Sequence, residues 1–254
     1  MKKRLLWLGG ALFGLSLYLG GSYLVKGSLE QKVSQAEKSC SQDDISFPER
    51  EVLKQIAGYS NLTLEEFLKD TRVKAKAEHG HLAVLEIENY NVPQFNAENL
   101  PYLRRLGIKN SGLEQVHGLE SCPNLVYLAL YCNKLKEVPG LESLKILGTL
   151  LITGNQIEEL DISSNKFIRT LNASGNRLTE IKGLEDLQFL RSLYLTSNPM
   201  NSLPDLSNAT ALEIIDVRKT GVQEKDLGKL YERGVKIFSD IPYQKVQSTE
   251  DKIF

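Results

Sequence analysis

Cysteine is scarce in this sequence, and charge of neither sign dominates it. Three cysteines in 254 residues are too few and too irregularly spaced for a disulfide framework or a paired-thiol zinc site. The formal net charge is -1 and the sequence pI is about 6.4, so the excess of positive charge that favours binding to nucleic acid is missing. We therefore expect no nucleic-acid partner and at most one disulfide.

The three cysteines have two interpretations. Either Cys40, Cys122 and Cys132 are isolated small hydrophobic residues, or Cys122 and Cys132 form one disulfide and leave Cys40 unpaired. Lipid attachment needs a cysteine directly after an apolar core, whereas Cys40 follows a polar stretch. We therefore expect no lipid anchor at Cys40.

Long hydrophobic runs are also rare, and the longest one lies at the N-terminus. Residues 5–25 carry no charge and follow the basic cluster Lys2-Lys3-Arg4. This run is long enough to cross a hydrocarbon core of about 30 Å, whereas the core of a signal peptide has about 7–15 residues. We expect either a retained membrane anchor or a signal segment that is cleaved after Ser22. In both cases the basic cluster stays in the cytoplasm. The remaining chain is then extracytoplasmic, either membrane-anchored or, when residues 1–22 are cleaved, secreted or periplasmic.

A period of 21 or 22 residues runs through the middle of the chain. Its template is L-x-x-L-x-L-x-x-N-x-L-x-x-L, and the copies begin at Leu82, Leu103, Leu125, Leu147, Ile168, Leu190 and Leu212. The central apolar residues of a copy, such as Leu128 and Leu130, are two apart, so they share one face of a short strand and point inwards. Because a single coil cannot bury that face alone, we expect the coils to stack into a solenoid.

The repeat resembles that of the leucine-rich-repeat family. Its near-constant length of 22 residues and the segments GLESCPNL, GLESLKIL and GLEDLQFL are similar to the bacterial internalin-like class. The resemblance covers residues 82 to about 240. It implies an α/β repeat fold, a right-handed solenoid with a parallel sheet on its concave side, and a role in interaction at the cell surface or outside the cell.

The regions on either side of the repeats show signs of caps. Val52, Leu53 and Ile56 have helical spacing, and a capping box begins at Thr63. Leu227, Leu230 and Tyr231 indicate a final helical turn, and Val235 and Ile237 occupy the next strand position. We divide the chain into a transmembrane anchor or signal segment (1–26), a polar stalk (27–46), a helical N-terminal cap (47–81), seven repeats (82–225) and a C-terminal cap and tail (226–254).

Asparagine occupies the template position at which the chain turns off the strand. An amide at this position both donates to and accepts from the backbone of neighbouring coils. The expected structural ladder consists of Asn133, Asn155, Asn176 and Asn198. Tyr90, Ser111 and Thr220 replace asparagine at the ends of the array.

Residues that alternate with the inward-facing ones point to the concave side, where a partner has access. Tyrosine is favoured at binding hot spots because it combines a large contact area with a polar tip. The predicted binding residues are Tyr127, Tyr131, Thr149, Leu151, Thr153, Asn172, Tyr194, Arg105, Lys109 and Arg218. The alternative is that these hydroxyl-rich strands reflect β propensity and bind nothing.

Catalytic motifs are missing from the sequence. It contains no nucleophile elbow, paired-carboxylate motif or glycine-rich phosphate loop. His79-Gly80-His81 beside Glu78 has a spacing found in metal sites, but a polar turn is expected there in any case. We therefore expect no enzyme, no cofactor and no metal. The predicted function is extracytoplasmic binding of a protein or peptide, with membrane attachment through residues 5–25. The alternatives are a membrane-envelope scaffold that positions other membrane proteins and a metal-dependent enzyme that uses His79 and His81.

Overall fold

Each coil contributes one short strand to a continuous sheet. A computed structural model of the chain describes residues 41–241. The strands, in chain order, are β1 (Val73–Glu78), β2 (His81–Glu88), β3 (Gln94–Asn96), β4 (Arg105–Lys109), β5 (Gln115–His117), β6 (Tyr127–Ala129), β7 (Thr149–Leu151), β8 (Thr170–Asn172), β9 (Ser192–Tyr194), β10 (Ile214–Asp216) and β11 (Lys236–Phe238). The main sheet has nine strands in the order β1-β2-β4-β6-β7-β8-β9-β10-β11, and β3 and β5 form a second, two-stranded sheet.

The main sheet keeps a single register from coil to coil. All pairings from β2 to β11 are parallel, and equivalent residues face each other, as in Arg105 with Tyr127 and Tyr127 with Thr149. The sequence period therefore corresponds to one turn of the chain. The predicted repeat fold with a mostly parallel sheet is confirmed.

The aliphatic template positions form a continuous core behind the sheet. Leu128 and Leu130 are fully buried, as the alternation within the template predicts, and the central residues of the other strands are equally inaccessible: Leu85, Leu106, Leu150, Leu171, Leu193 and Ile215. Burial of one such side chain stabilises the fold by about 1.5–3 kcal/mol. Because each coil covers the next, stability depends on neighbouring coils.

The ladder asparagines lie inside the turns after the strands, and all four are buried. The Asn155 Nδ2 atom donates to the carbonyl oxygens of Leu130 and Ile152 at 2.9 Å, and its Oδ1 accepts from the Leu135 amide at 3.0 Å. Asn133, Asn176 and Asn198 make equivalent contacts. At the N-terminal end of the array Ser111 replaces asparagine as an acceptor. Its hydroxyl oxygen accepts from the Tyr90 amide at 3.3 Å.

The side of the coils opposite the main sheet is built from short 3-10 turns. These turns cover Leu119–Ser121, Leu141–Ser143 and Leu184–Asp186, and each follows a glycine with a left-handed backbone. At Gly183, where φ is 82°, an added Cβ would collide with the backbone of Ser163 in the previous coil. Glycine is therefore required both by the dihedral angle and by the close approach of the coils.

The N-terminal cap contains both predicted helices and one strand that the sequence analysis missed. Helix α1 spans Phe47–Gly58 and helix α2 spans Leu64–Lys69, with the capping box between Thr63 and Glu66. The expectation of a purely helical cap over 47–81 is wrong, because β1 pairs antiparallel with β2. The segment VKAKAE alternates apolar and charged residues, and His79-Gly80 forms a tight turn with positive φ at both positions.

Two other boundaries of the cap regions also differ from the prediction. Ile45, assigned above to the polar stalk, is buried in the core, and its carbonyl oxygen accepts from Arg50 Nε at 2.8 Å. At the other end, helix α3 spans Glu224–Glu232 and buries Leu227 and Leu230 before β11 completes the sheet. The C-terminal helix therefore starts two residues before the predicted cap.

Several expectations concern residues that the structure does not describe. The proposed anchor or signal (5–25), Cys40, most of the stalk and the tail beyond 241 lie outside the described residues. Within 41–241, no helix combines the length and the hydropathy that crossing a membrane requires. The alternative of a disulfide between Cys122 and Cys132 is wrong. Cys122 is buried, with its thiol directed at the Ala97 and Leu100 carbonyl groups, whereas Cys132 is exposed.

Candidate binding surface

The predicted binding residues lie on the face of the main sheet that points away from the core. We call this side, which carries the residues that alternate with the buried ones along each strand, the solvent face. Nine of the ten predicted residues are half-buried there: Arg105, Lys109, Tyr127, Tyr131, Thr149, Leu151, Asn172, Tyr194 and Arg218. The prediction that Thr153 is accessible to a partner is wrong, because this residue is buried and its hydroxyl lies 3.4 Å from the carbonyl oxygen of Asn172.

Five residues contact one another at the N-terminal end of the solvent face. We call Glu86, Arg105, Lys109, Tyr127 and Tyr131 the Glu86 cluster. Arg105 Nε and Lys109 Nζ both donate to the Glu86 carboxylate, the latter at 3.1 Å. The Arg105 guanidinium lies 3.5 Å above the centre of the Tyr127 ring, and Lys109 Nζ lies 5.8 Å from that of Tyr131. One carboxylate thus holds two cations, and each cation faces a tyrosine ring.

Gly107 leaves the space in which this cluster forms. It lies between Arg105 and Lys109 on β4, opposite Glu86 on β2. A Cβ atom at Gly107 would be 3.0 Å from Lys109 Cε and 3.2 Å from Glu86 Cγ, so both side chains pass directly over the glycine. The cluster was missed in the sequence because the repeat template does not specify how long side chains fold over a small residue.

Contacts within the cluster shift the pKa of Glu86, and burial shifts that of Tyr131. Burial raises the pKa of Glu86, but the Arg105 hydrogen bond and the Lys109 charge outweigh burial and hold that pKa below its ordinary value. Burial, assisted by the nearby Glu88 carboxylate, raises the pKa of Tyr131 to about 12. At neutral pH the Tyr131 hydroxyl therefore stays protonated and the Glu86 carboxylate stays ionised.

The middle of the solvent face carries no charge. Between β7 and β9 its half-buried side chains are hydroxyl, amide, aliphatic and tyrosine groups: Thr149, Leu151, Thr170, Asn172, Ser192 and Tyr194. Asn172 Oδ1 accepts from the Ser174 amide at 3.2 Å, so its amide is oriented by the backbone. This region combines apolar contact area with hydrogen-bonding groups, one of which is oriented by the backbone.

A second ion pair lies at the far end of the solvent face. Arg218 binds the buried Asp216 carboxylate through two hydrogen bonds, Nε to Oδ1 at 3.0 Å and Nη2 to Oδ2 at 2.6 Å. Burial raises the pKa of Asp216, but hydrogen bonds from Arg218 and Thr196 together with the Arg218 charge outweigh burial, and the pKa is lowered. The Arg218 guanidinium also lies 5.4 Å from the centre of the Phe238 ring. Phe238 was not predicted, although continuing the strand register into β11 places it on this face.

The histidine pair does not form a metal site in the described part of the chain. His79 is exposed in the turn between β1 and β2, whereas His81 Nδ1 lies 3.5 Å from the Glu49 carboxylate and its ring stacks on Tyr102 at 3.9 Å. Glu49 is buried, and its other oxygen accepts from the Leu82 amide at 3.1 Å. Among residues 41–241, no group of three or more histidine, cysteine, aspartate or glutamate side chains is placed to hold a metal ion.

Comparisons with known proteins agree with this architecture. Residues 166–208 match the model of the family described as Leucine Rich repeats (2 copies). An internalin (InlF) from Listeria monocytogenes is 17% identical with a TM-score of 0.51, over 61% of this chain and 59% of that protein. A leucine-rich-repeat protein from Leptospira interrogans is 21% identical with a TM-score of 0.50, over 63% and 49% respectively. No curated protein sequence matches the chain.

The fold and the surface therefore define a repeat protein whose parallel sheet displays one row of side chains per coil. Residues 166–208 carry the leucine-rich-repeat match, and the fold is similar to that of an internalin and of another bacterial leucine-rich-repeat protein, of whose lengths this chain spans 59% and 49%.

Proposed function

We propose that the protein is an extracytoplasmic binding module that recognises a protein or peptide across the solvent face of its sheet. The observation that carries this proposal is the Glu86 cluster. Arg105 contacts both Glu86 and the Tyr127 ring, so the guanidinium is held in place before any partner arrives. Residues ordered in advance lose less conformational entropy on binding, which increases affinity.

The chemistry of the solvent face favours a polypeptide with an uncharged central segment. Tyr127, Tyr131 and Tyr194 are half-buried, and the strands between them offer hydroxyl and amide groups. Ion pairs lie at both ends, at Glu86 and at Asp216. We infer that aromatic and hydrogen-bond contacts in the middle provide affinity, and that the terminal charges select orientation.

The extracytoplasmic location and the membrane attachment rest on the sequence. Lys2-Lys3-Arg4 precedes the uncharged run 5–25, an arrangement that keeps the basic residues in the cytoplasm and exports the rest of the chain. The family resemblance agrees with this topology. We therefore propose that the repeats face the outside of the cytoplasmic membrane.

Binding is tested with the full chain in detergent, immobilised through a C-terminal tag and exposed to envelope and culture-medium proteins of the producing organism. We compare it with the double variant Tyr127→Ala/Tyr131→Ala. Losing one hot-spot tyrosine costs about 2 kcal/mol, which is about 30-fold in Kd, so the double variant should release its specific partner.

The matched control for that experiment is Phe167→Ala/Phe189→Ala, which removes two half-exposed aromatic rings from a different surface. It should retain the partner. Equal retention by both double variants would contradict recognition through the solvent face. A stoichiometric membrane protein that is retained by both would instead favour the envelope-scaffold alternative.

A further inference from the structure

A row of exposed apolar side chains runs along one edge of the coils. Tyr102, Val126, Ile146, Phe167 and Phe189 are between 43% and 50% exposed. Four of them directly precede the first apolar residue of a coil, and Val126 directly follows that of its coil, Leu125. We call these five residues the aromatic edge. With Phe47 they are the large hydrophobic side chains that residues 41–241 leave exposed. Such rows on a soluble surface mark contact sites.

Two rings of the aromatic edge stack on each other, and backbone hydrogen bonds join the coils at residues close to the edge in sequence. The Phe167 and Phe189 rings stack with their centres 5.7 Å apart. Two residues after Tyr102, Ile146 and Phe167, neighbouring coils are joined by the hydrogen bonds Val126 N to Arg104 O at 2.9 Å, Gly148 N to Val126 O at 2.9 Å, and Arg169 N to Gly148 O at 2.8 Å. The fold therefore does not need these side chains for its backbone pairing, and their repetition calls for another explanation.

Positive charge accompanies the apolar row. Five cations lie within two residues of the edge side chains in sequence: Arg104, Lys145, Lys166, Arg169 and Arg191. Arg104, Lys166 and Arg191 pair with Glu78, Asp186 and Glu213, but these pairs are exposed and therefore weak. The Arg169 guanidinium lies 6.0 Å from the centre of the Phe189 ring, so charge and aromatic surface are adjacent.

The opposite sign of charge is concentrated elsewhere on the same coils. A groove that follows the asparagine turns is lined by Glu137, Glu142, Glu158, Glu159, Asp161 and Glu180, with Lys182 as its cation. Along each coil the aromatic-edge residue precedes the strand, and the acidic residues of the groove follow the turn after the strand. An anionic surface would therefore attract the aromatic edge and repel the groove, which gives the coils a preferred orientation.

The N-terminal helix α1 lies close to Tyr102, the first residue of the aromatic edge. Tyr102 stacks on His81, and His81 lies 3.5 Å from Glu49, which belongs to the first turn of α1. Phe47, the most exposed of the large hydrophobic residues, starts that helix. Residues 26–40, which separate the proposed membrane span from the described part, reach at most roughly 50 Å when extended. A span at 5–25 would keep the edge within reach of the same bilayer.

We propose that the aromatic edge docks onto an anionic phospholipid surface. Tyr102, Phe167 and Phe189 enter the headgroup layer, as aromatic side chains do at membrane interfaces, and Lys145 and Arg169 contact lipid phosphates. This inference rests on the membrane attachment proposed above. Because the tether makes docking intramolecular, a weak contact is sufficient to orient the coils and leave the solvent face accessible.

The test places a photoreactive probe beside the edge of the full chain in vesicles. A benzophenone is attached through Gln188→Cys, next to Phe189, in a chain that also carries Cys40→Ser and Cys132→Ser. Cys122 can stay, because burial raises the pKa of its thiol to about 12 and keeps it unreactive. The control probe is attached through Glu159→Cys in the acidic groove. The vesicles consist of phosphatidylcholine with or without phosphatidylglycerol.

The Gln188→Cys probe should give about tenfold more lipid adducts than the Glu159→Cys probe, and most of them with phosphatidylglycerol present. Phe167→Ser/Phe189→Ser should reduce the adducts in all vesicles. Lys145→Gln/Arg169→Gln should reduce them only in the anionic ones. The solvent-face variant Tyr127→Ala/Tyr131→Ala should leave them unchanged. Thermal unfolding of each variant checks that the coils remain folded.

Other results overturn the proposal. Equal lipid adducts from both probes, or adducts to a second copy or to residues 1–40 of the same chain, would show that lipid does not cover the edge. Flotation of the vesicles distinguishes docking from membrane attachment. A chain that floats without lipid adducts contradicts docking alone, whereas a chain that does not float contradicts membrane attachment as well.

Discussion

At the scale of single residues, polar groups in this protein follow two different rules. The ladder asparagines are buried and satisfy backbone groups, so they contribute to stability and contact no partner. Glu86 and Asp216 hold cations on the solvent face instead, where the cations remain half-exposed. Arginine and tyrosine on this face are therefore fixed by neighbours and still accessible, which is the combination a binding surface requires.

The ladder predicts a measurable loss of stability when one amide is removed. Asn155→Leu leaves the Leu135 amide without its acceptor. It also removes one of the two side-chain donors to each of the Leu130 and Ile152 carbonyl oxygens, which keep Asn133 and Asn176 respectively. The free energy of unfolding should fall by about 1–3 kcal/mol in denaturant titration, because unsatisfied buried groups are costly. The exposed Asn99→Leu is the control and should change stability by less than about 0.5 kcal/mol. Equal effects of the two substitutions would contradict the ladder.

Glu86 predicts a stability contribution that depends on pH. Its pKa in the folded protein is lowered below the ordinary value of 4.5, so its contribution is complete above that value and is lost as pH falls through the folded pKa. Glu86→Gln should lower Tm at pH 7, and the difference from the parent should shrink below about pH 4.5. Glu114→Gln, in an exposed pair with Lys134, serves as the control. A difference that stays constant down to about pH 3 would show that the Glu86 charge does not stabilise the fold.

At the scale of elements, each coil has a strand and a turn, with a ladder asparagine in the turn of four coils and a 3-10 turn preceded by glycine in three. The repeat template was sufficient to predict the strand positions and the inward leucines, because both depend only on spacing. Arg105 and Tyr127 are neighbours for the same reason, since one period of the repeat separates them. Strand β1 was missed because it is antiparallel and has no counterpart in the repeat. The Glu86 cluster was missed because it depends on side-chain conformations over Gly107.

Glycine to alanine should have opposite effects on stability before a 3-10 turn and inside a helix. Gly183→Ala forces a residue with φ of 82° to carry a Cβ that meets Ser163, and should cost about 2–4 kcal/mol. Gly228→Ala lies in α3 with open space around the added methyl group, and should stabilise the helix by about 0.5–1 kcal/mol. Both values are read from denaturant titrations. A tolerated Gly183→Ala would mean that the coils do not approach each other closely at Ser163.

At the scale of the whole molecule, the stacking of the coils determines both the stability of the fold and which side chains are exposed. Each strand pairs with the next in one register, and the core residues of every coil are covered by its neighbours. The caps close the ends with α1, α2 and β1 on one side and α3 and β11 on the other. The solvent face, the aromatic edge and the acidic groove consequently each draw residues from several coils.

Because the coils stack as equivalent units, we expect the protein to fold after one whole coil is deleted. Deletion of residues 147–167 takes out one period and joins equivalent positions, so the shortened chain should still unfold cooperatively, at a lower Tm. Deletion of 147–157 removes half a coil, breaks the register and should abolish cooperative unfolding. Calorimetry of both deletions decides the point. Failure of the whole-coil deletion to fold, with the half-coil deletion no worse, would argue against repeat units that stack independently.

Hydroxyl-radical footprinting of the full chain tests the central claim most directly, namely that alternate strand residues are hidden and displayed. The oxidation rate of each residue is divided by its rate in the unfolded chain. Tyr127, Tyr131 and Tyr194 should retain a large fraction of their unfolded rate, whereas Leu128, Leu150 and Leu193 should be almost fully protected. Equal protection of the tyrosines and the leucines, or reactive leucines, would contradict the account.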